Sequence, residues 1–176
     1  SAGMEAAFVN LLECGDKVIV CQNGVFGGRM KENVERCGAT AAMVMDRWGD
    51  PVDPEKLEAA IKEHPDAKVV AFVHAETSTG VRSDAETLCR LAKDAGMLVI
   101  VDAVTSLVGI ELKADEWGAD VVYSGTQKCL SGLPGISPIT FSDAAVSAIS
   151  ARTQKVQSWF LDMNLIMGYW GEGAKR

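Results

Sequence analysis

The sequence predicts an α/β fold in which a mainly parallel sheet is covered by helices on both faces. Two patterns support this prediction: short β-branched runs alternate with amphipathic stretches, and those stretches carry apolar residues at spacings of three or four. The chain has 176 residues, 48% hydrophobic and 23% charged, which is enough to bury the core of about one domain. We find neither an internal repeat nor a low-complexity linker, so a single layered structure is expected.

The elements follow from these patterns in chain order. The strands are predicted where β-branched and other apolar residues cluster, at residues 17–21, 41–45, 69–73, 98–101, 121–123 and 137–141. The helices are predicted at residues 4–12, 27–37, 54–63, 84–95 and 144–151. Asp53 before Pro54 is typical of a helix start, and Gly38 and Gly96 are typical of helix ends.

Charge and cysteine usage exclude several classes of protein. A net charge of −7 with no run among the 17 basic residues argues against a nucleic-acid surface. No apolar stretch approaches the roughly 18 residues of a membrane span. The five cysteines form no C-x-x-C pair, which indicates neither a zinc site nor a disulfide framework but reduced thiols of a cell interior. The compartment within the cell is left open.

The two ends of the chain resemble those of a piece cut from a longer protein. Ser1 leads almost directly into a helical pattern, and the sequence stops in the glycine-containing residues 171–176. Before that end lies an aromatic-rich tail that includes Trp159, Phe160, Leu161, Leu165, Ile166, Met167, Tyr169 and Trp170. A small domain would struggle to bury this tail alone, so we expect it to pack on a segment outside the chain or on a partner.

Two apolar runs end at residues that carry chemistry. Residues 121–123 are followed by small polar residues and then by Lys128, and residues 97–101 end at Asp102. Ligands bind at the carboxyl ends of strands in an open parallel sheet, so we expect both side chains at one edge. A lysine and a carboxylate together suit pyridoxal phosphate, because the lysine forms a Schiff base with its aldehyde and the carboxylate keeps its pyridine nitrogen protonated.

Simpler interpretations exist for both residues. Most lysines are solvated surface charges, but Lys128 stands in an irregular loop with Gly132 and Pro134 after it, where we expect it to be desolvated. A carboxylate at the end of a buried strand is either a helix cap or the partner of a cation. Residues 103–106 do not begin a clear helix, so we favour a pyridinium as the partner of Asp102.

Two further loops follow strands at the same predicted edge. The segment H-A-E-T-S-T-G, residues 74–80, offers hydroxyls for a cofactor phenolate oxygen. For His74 and Glu76 two interpretations are equally open: direct contact with the cofactor, or a hydrogen-bonded pair that braces this loop. Phe26 lies in the glycine loop N-G-V-F-G-G, where a flat ring could stack on it, although such a residue is more often part of the core.

Five motifs occur in order along nearly the whole chain: S-A-G-M-E-A-A, N-G-V-F-G, H-A-E-T-S-T-G, V-D-A-V-T-S and Y-S-G-T-Q-K. Together they resemble the large domain of fold-type I, class V pyridoxal-phosphate aminotransferases, in particular the alanine–glyoxylate and serine–pyruvate aminotransferase group. The resemblance covers residues 1 to about 170.

The resemblance implies a role for each of seven residues. Lys128 is the catalytic Schiff-base lysine, and Asp102 is the catalytic partner of the pyridine nitrogen. The remaining cofactor-binding residues are Val104 on one ring face, Phe26 on the other, where this group often has tryptophan, Thr77 near the phenolate oxygen, and Gln127 and Ser1 at the phosphate.

The resemblance also implies an activity: a homodimer that transfers an amino group from alanine or serine to glyoxylate or pyruvate. Residues 1–176 would be the cofactor-binding large domain, incomplete at its start and without the small C-terminal domain, where this family keeps the arginine that binds the substrate carboxylate. No arginine here matches it, so Arg29, Arg82 and Arg152 are interpreted as surface or structural residues.

Three alternatives stay open. A lyase or cysteine desulfurase of the same fold needs an additional mobile cysteine, and Cys129 is too close to Lys128 in sequence to serve easily. A nucleotide-binding Rossmann module is disfavoured, because no strand is followed by G-x-G-x-x-G. The third alternative is a non-catalytic dimerisation piece.

Overall fold

The structure, a computed structural model, describes residues 1–170 apart from the side chain of Trp170, so the predicted glycine-containing end at residues 171–176 lies outside the described residues. The helices are α1 (Ala2–Leu11), α2 (Val25–Arg36), α3 (Pro54–Glu63), α4 (Ala85–Asp94), α5 (Ala114–Trp117), α6 (Asp143–Ser150) and α7 (Met163–Trp170). The strands are β1 (Lys17–Gln22), β2 (Thr40–Met45), β3 (Val69–Val73), β4 (Ala75–Glu76), β5 (Val81–Arg82), β6 (Leu98–Asp102), β7 (Val121–Tyr123) and β8 (Ile139–Phe141).

One mainly parallel sheet organises the chain, as predicted. Its six strands lie in the order β2-β1-β3-β6-β7-β8. Neighbouring strands are parallel except β7 and β8, which pair antiparallel. The short strands β4 and β5 form a separate antiparallel hairpin immediately after β3. The carboxyl ends of β1, β3, β6 and β7 therefore meet at one edge of the sheet.

Apolar cores lie on both faces of the sheet. In β3 every residue is buried, and its side chains alternate: Val69, Ala71 and Val73 belong to one core, while Val70 and Phe72 belong to the other. Residues of α1, α2, α6 and α7 contribute to the first core. Residues of α3, α4 and α5 contribute to the second. The predicted two-sided helical cover is thus confirmed.

The helix ends follow their sequence signals. The Asp53 side chain accepts a hydrogen bond from the Glu55 amide at the start of α3 (2.9 Å). Gly38 and Gly96 have φ of +73° and +76°, the left-handed conformation that ends a helix at little cost for glycine. The hairpin, α5 and α7 were not predicted, because each is too short or too irregular in pattern to give a periodic signal.

The aromatic tail is only partly covered. Met163 is buried against the core that contains α1, and Leu161, Ile166 and Met167 pack partly against it. Trp159, Phe160 and Tyr169 remain 81%, 76% and 74% exposed. An apolar cavity of about 780 Å³ lies between the start of α1, β8 and this tail.

The cysteines are all free, and three of them are buried. Burial raises the pKa of Cys37 to about 11 and that of Cys89 to about 12, which keeps these thiols protonated and unreactive. Cys14 and Cys129 are exposed. Among residues 1–170, no helix combines the length and apolar character that crossing a bilayer requires.

Candidate cofactor site

Three strands end side by side where the sequence predicted a site. Val73 of β3 pairs with Asp102 of β6, and Asp102 pairs with Tyr123 of β7. The residues after each strand therefore leave the sheet at the same edge. This arrangement brings the segments that contain Thr77, Val104 and Lys128 to one side of the molecule.

Asp102 is a buried carboxylate that is held by two hydrogen bonds. It is 2% exposed. Its Oδ1 accepts a hydrogen bond from the Val104 amide (2.9 Å), and its Oδ2 accepts one from the Tyr123 hydroxyl (2.8 Å). Among the described residues no lysine or arginine forms a salt bridge with it. The carboxylate is fixed at both oxygens, yet its charge is not neutralised.

The electrostatics of the edge reflect this lack of a partner. Burial raises the pKa of Asp102 from its ordinary value, 3.8, to about 6. The two hydrogen bonds act against this rise, and the charge of Glu76 adds to it. Burial also raises the pKa of Tyr123, so this phenol stays protonated and donates to Asp102. A cation placed at Asp102 would be favoured by the same burial.

Phe26 reaches this edge at the start of α2. Its amide donates to Glu76 Oε2 (3.2 Å), and its ring packs partly against the core on the Asp102 face of the sheet. The guanidinium carbon of Arg29 lies 4.7 Å from the centroid of the ring, a cation–π contact. Phe26 is therefore both partly core and partly surface at the edge.

Thr77 and Val104 belong to two loops that contact each other. The Thr77 hydroxyl lies 3.4 Å from the hydroxyl of Thr105, which itself donates to the carbonyl oxygen of Ala75. Val104 is half-buried and packs against the same core as Phe26. No helix follows Asp102 before α5, so its carboxylate closes a local turn with Val104 and does not cap a helix.

Lys128 lies in the loop after β7. Ser124 Oγ donates to the carbonyl oxygen of Ala103 (3.0 Å), and the Cys129 thiol donates to that of Thr105 (3.4 Å). These bonds tie the loop to the residues after Asp102 on both sides of Lys128. Gln127 folds back over Gly125, where an added Cβ would lie 2.6 Å from Gln127 Oε1.

The expected desolvation of Lys128 is wrong for this chain. Its side chain is exposed, as are residues 131–136, which continue the same loop. Nothing within residues 1–170 covers this loop, so the amine stands in water. The prediction failed because an apolar strand says nothing about what lies above the loop that follows it.

Ser1 begins α1 against the end of β7. A Cβ added to Gly3 would lie 3.1 Å from Tyr123 Cβ and 3.3 Å from Ser137 Cβ, so the first turn of α1 approaches these side chains closely. Ser1 is the N-cap residue, and its side chain caps no amide of the helix. The first amides of α1 receive no cap from Ser1, and the first turn lies against Tyr123, which bonds to Asp102.

Tyr123 takes part in the site although the sequence gave it no role, and Ser78, predicted only as one of several hydroxyls near a cofactor, bonds to Glu76 and Val25. The signal for Tyr123 was its position at the end of a strand beside the strand of Asp102. The predicted pair of His74 and Glu76 is not formed: Glu76 bonds to Ser78 and Phe26, while the His74 ring packs edge-on against Trp117 at 5.7 Å. His74 lies at a bend between β3 and β4, so the strand geometry that would place residues two apart on one face does not extend across it.

The arginines agree with a structural interpretation. Arg152 donates through Nη1 to the carbonyl oxygens of Asn10 and Leu12 at the end of α1. Arg29 covers Phe26, and Arg82 is exposed in the hairpin. The large apolar cavity does not include Asp102 or Lys128 in its lining, and it touches the site only through Ala2 and Gly3.

Comparison with known proteins agrees with this architecture. The family model for class-V aminotransferases matches residues 1–157. A curated relative from Synechococcus sp. (strain PCC 6716), named soluble hydrogenase, small subunit, is 39% identical over 93% of this chain and 43% of its own length.

Two solved structures superpose on nearly the whole chain. An alanine–glyoxylate aminotransferase from Nostoc sp. is 40% identical with a TM-score of 0.95, covering 99% of this chain and 46% of that one. A ureidoglycine–glyoxylate aminotransferase from Bacillus subtilis is 38% identical with a TM-score of 0.94, covering 97% of this chain and 44% of that one. This chain thus spans less than half the length of these relatives. It belongs to the class-V aminotransferase family.

Proposed function

We propose that this chain is the pyridoxal-phosphate-binding large domain of an aminotransferase. The observation that carries the proposal is the buried carboxylate of Asp102, which forms no salt bridge within residues 1–170 and lies at the same edge as Lys128. We further propose that a smaller C-terminal domain outside this chain completes the enzyme and that the enzyme is a homodimer. The lengths of the relatives support the first of these two extensions.

The donors at this edge fit pyridoxal phosphate. A protonated pyridine nitrogen would supply the positive charge that Asp102 lacks, and Phe26 and Val104 would pack against the two ring faces. Thr77 would donate to the phenolate oxygen. Gln127 and the first amides of α1, which begins after Ser1, would receive the phosphate. When bound, this cofactor supplies an electron-accepting ring that stabilises negative charge at the substrate α-carbon.

The residues of the chain divide the remaining work. Asp102, held by Val104 and Tyr123, would keep the proton on the pyridine nitrogen. The Lys128 amine would hold the cofactor through its aldehyde. The same amine, when free, would move a proton at the substrate α-carbon, which requires a side chain that can swing. The exposure of Lys128 in this chain is consistent with that freedom.

The proposed substrates are a small amino acid, alanine or serine, and a 2-oxo acid, glyoxylate or pyruvate. Support comes from the two superposed structures, whose names specify glyoxylate. The resemblance places the arginine that binds the substrate carboxylate in the small domain, and here Arg152 is bonded at the end of α1 while Arg29 lies against the Phe26 ring. We therefore propose that the small domain supplies that arginine.

Borohydride trapping tests the role of Lys128. The product of the complete coding sequence, loaded with pyridoxal phosphate and reduced, should carry the adduct on the peptide that contains Lys128, and Lys128→Ala should abolish it. Lys155→Ala removes another exposed lysine and should leave the adduct in place. Mapping the adduct to a different lysine would overturn the proposal. Turnover of alanine or serine with glyoxylate or pyruvate then tests the substrates.

The same assay addresses the desulfurase alternative. The Cys129 thiol donates to the Thr105 carbonyl and therefore belongs to the support of the loop. Cys129→Ser is expected to keep aminotransferase activity, because a hydroxyl can make the same bond. Release of sulfide from cysteine, lost in Cys129→Ser, would favour the desulfurase.

A further inference from the structure

The amino terminus of α2 is capped by side chains from a distant part of the chain. Its N-cap residue is Gly24, which has no side chain to offer. The Val25 amide donates instead to Ser78 Oγ (3.0 Å), and the Phe26 amide donates to Glu76 Oε2 (3.2 Å). The first amides of a helix have no acceptor within the helix, so the hairpin segment satisfies two of them.

Glu76 is held rigidly for this task. It is 1% exposed. Its Oε1 accepts from both the amide (3.0 Å) and the hydroxyl (2.8 Å) of Ser78, which leaves Oε2 for Phe26. Ser78 Oγ thus donates to Glu76 while it accepts from Val25. A carboxylate at this position also interacts favourably with the positive end of the helix dipole.

Gly24 leaves the space that Glu76 occupies. An added Cβ at this position would lie 2.5 Å from Glu76 Cδ and 2.6 Å from Ser78 Oγ. Gly24 has φ of −179°, an extended conformation that any residue adopts, so close approach and not the backbone requires glycine here. Gly24 and Glu76 therefore form one close contact, which a side chain at position 24 would disrupt.

We propose that Glu76 is a positioning residue of the cofactor edge. Together with Ser78 it fixes the first turn of α2, and thereby holds the ring of Phe26 where that ring stacks on the cofactor. Glu76 acts through Phe26 and needs no contact with the substrate. The stacking step rests on the proposed function, whereas the capping contacts do not.

Amide hydrogen exchange in the cofactor-free product of the complete coding sequence tests the capping. In Glu76→Gln the side chain keeps its size, but one end becomes a donor, so it cannot accept from Phe26 and Ser78 together. The Phe26 amide should exchange about three- to tenfold faster, as one lost hydrogen bond predicts. Ser78→Ala, at an exposed position, should do the same for the Val25 amide.

Asp53→Ala is the matched control, since Asp53 caps α3 through the Glu55 amide by the same chemistry away from this edge. It should accelerate exchange at Glu55 and leave Val25 and Phe26 unchanged. Unchanged exchange at Val25 and Phe26 in both test variants would overturn the proposal.

Titration with pyridoxal phosphate tests the positioning. Glu76→Gln should bind it roughly tenfold more weakly, the size of one lost charge-assisted hydrogen bond, while Asp53→Ala should bind it as the wild type does. Faster exchange at Phe26 with unchanged affinity would overturn the positioning role. Failure of the wild type to bind pyridoxal phosphate would overturn the proposed function and the stacking step, and the exchange rates would still decide the capping.

Discussion

Replacing Asp102 with asparagine should make the cofactor-free protein more stable and weaken its hold on pyridoxal phosphate. Asparagine preserves the local contacts: its Oδ1 accepts from the Val104 amide, and its amide group donates to the Tyr123 oxygen. The substitution therefore removes little except the charge. It separates the electrostatic role of Asp102 from its role in packing.

The magnitude follows from the pKa. Burial raises the pKa of Asp102 from 3.8 to about 6. Since a tenfold change in acid dissociation equals about 1.4 kcal/mol, the ionised carboxylate destabilises the folded state by about 3 kcal/mol. The folded protein binds this proton more tightly than the unfolded chain does. Its stability therefore falls as the pH rises from about 4 to about 6 and stays reduced above that range.

Urea unfolding of the cofactor-free wild type and Asp102→Asn across this range measures the effect. The variant should be more stable by up to about 3 kcal/mol above about pH 6, and the difference should vanish below about pH 4. Pyridoxal phosphate affinity should fall in the wild type as the pH drops through about 6, because Asp102 becomes neutral. In the variant the affinity should be weaker, and this fall at low pH should be absent.

Asp120→Asn is the control for a buried aspartate that has a partner. Asp120 is 3% exposed and accepts from Lys93 Nζ (2.8 Å) and the Val99 amide (2.8 Å). Loss of its charge should destabilise the protein by about 1–3 kcal/mol. If Asp102→Asn is also less stable than the wild type at about pH 8, or if the difference does not change with pH, then Asp102 is not an uncompensated charge.

Two further predictions concern neighbouring contacts. Gly27→Ala should destabilise the protein by about 1–3 kcal/mol, because an added Cβ would lie 2.7 Å from Gln22 Cα. Gly28→Ala meets only the flexible end of the Gln22 side chain at 3.2 Å and should be neutral or stabilising, so equal effects in urea unfolding would contradict this reasoning. Tyr123→Phe removes a hydrogen bond that lowers the pKa of Asp102. The fall of cofactor affinity at low pH should therefore have its midpoint at a higher pH than the wild-type value of about 6. An unchanged midpoint would show that the hydroxyl does not act on the carboxylate.

Sequence patterns of a few residues predicted the elements whose structure depends on interactions between neighbouring residues. Residues 69–73 form β3 as predicted, because a fully buried parallel strand is apolar at every position. Asp53 and Pro54 start α3, because a cap and a proline act within one turn. Asp102 is the last residue of β6 because the apolar run of that strand stops there. The same end of the apolar run identified it in the sequence.

Contacts between distant segments were beyond the reach of such patterns. The bond from Tyr123 to Asp102 depends on the register of two strands, which the intervening residues set through tertiary packing. The cap that Glu76 provides for Phe26 joins residues 50 positions apart, and no periodicity connects them. The exposure of Lys128 depends on what covers its loop, which lies outside any window of sequence around it.

The two buried aspartates of the sheet differ in how their charge is balanced. Asp120 lies just before β7, where Lys93, the Val99 amide and the Ser142 hydroxyl all donate to it, and nothing is left for a ligand to add. Asp102 lies at the opposite ends of the strands, where two donors fix its direction and no lysine or arginine of the described residues forms a salt bridge with it. A fold selected only for stability would replace such a residue, since the neutral isostere keeps both hydrogen bonds and avoids the cost of burying a charge. We propose that the balancing cation arrives with the cofactor, and stability changes of opposite sign for Asp102→Asn and Asp120→Asn in the cofactor-free protein would support this role for Asp102.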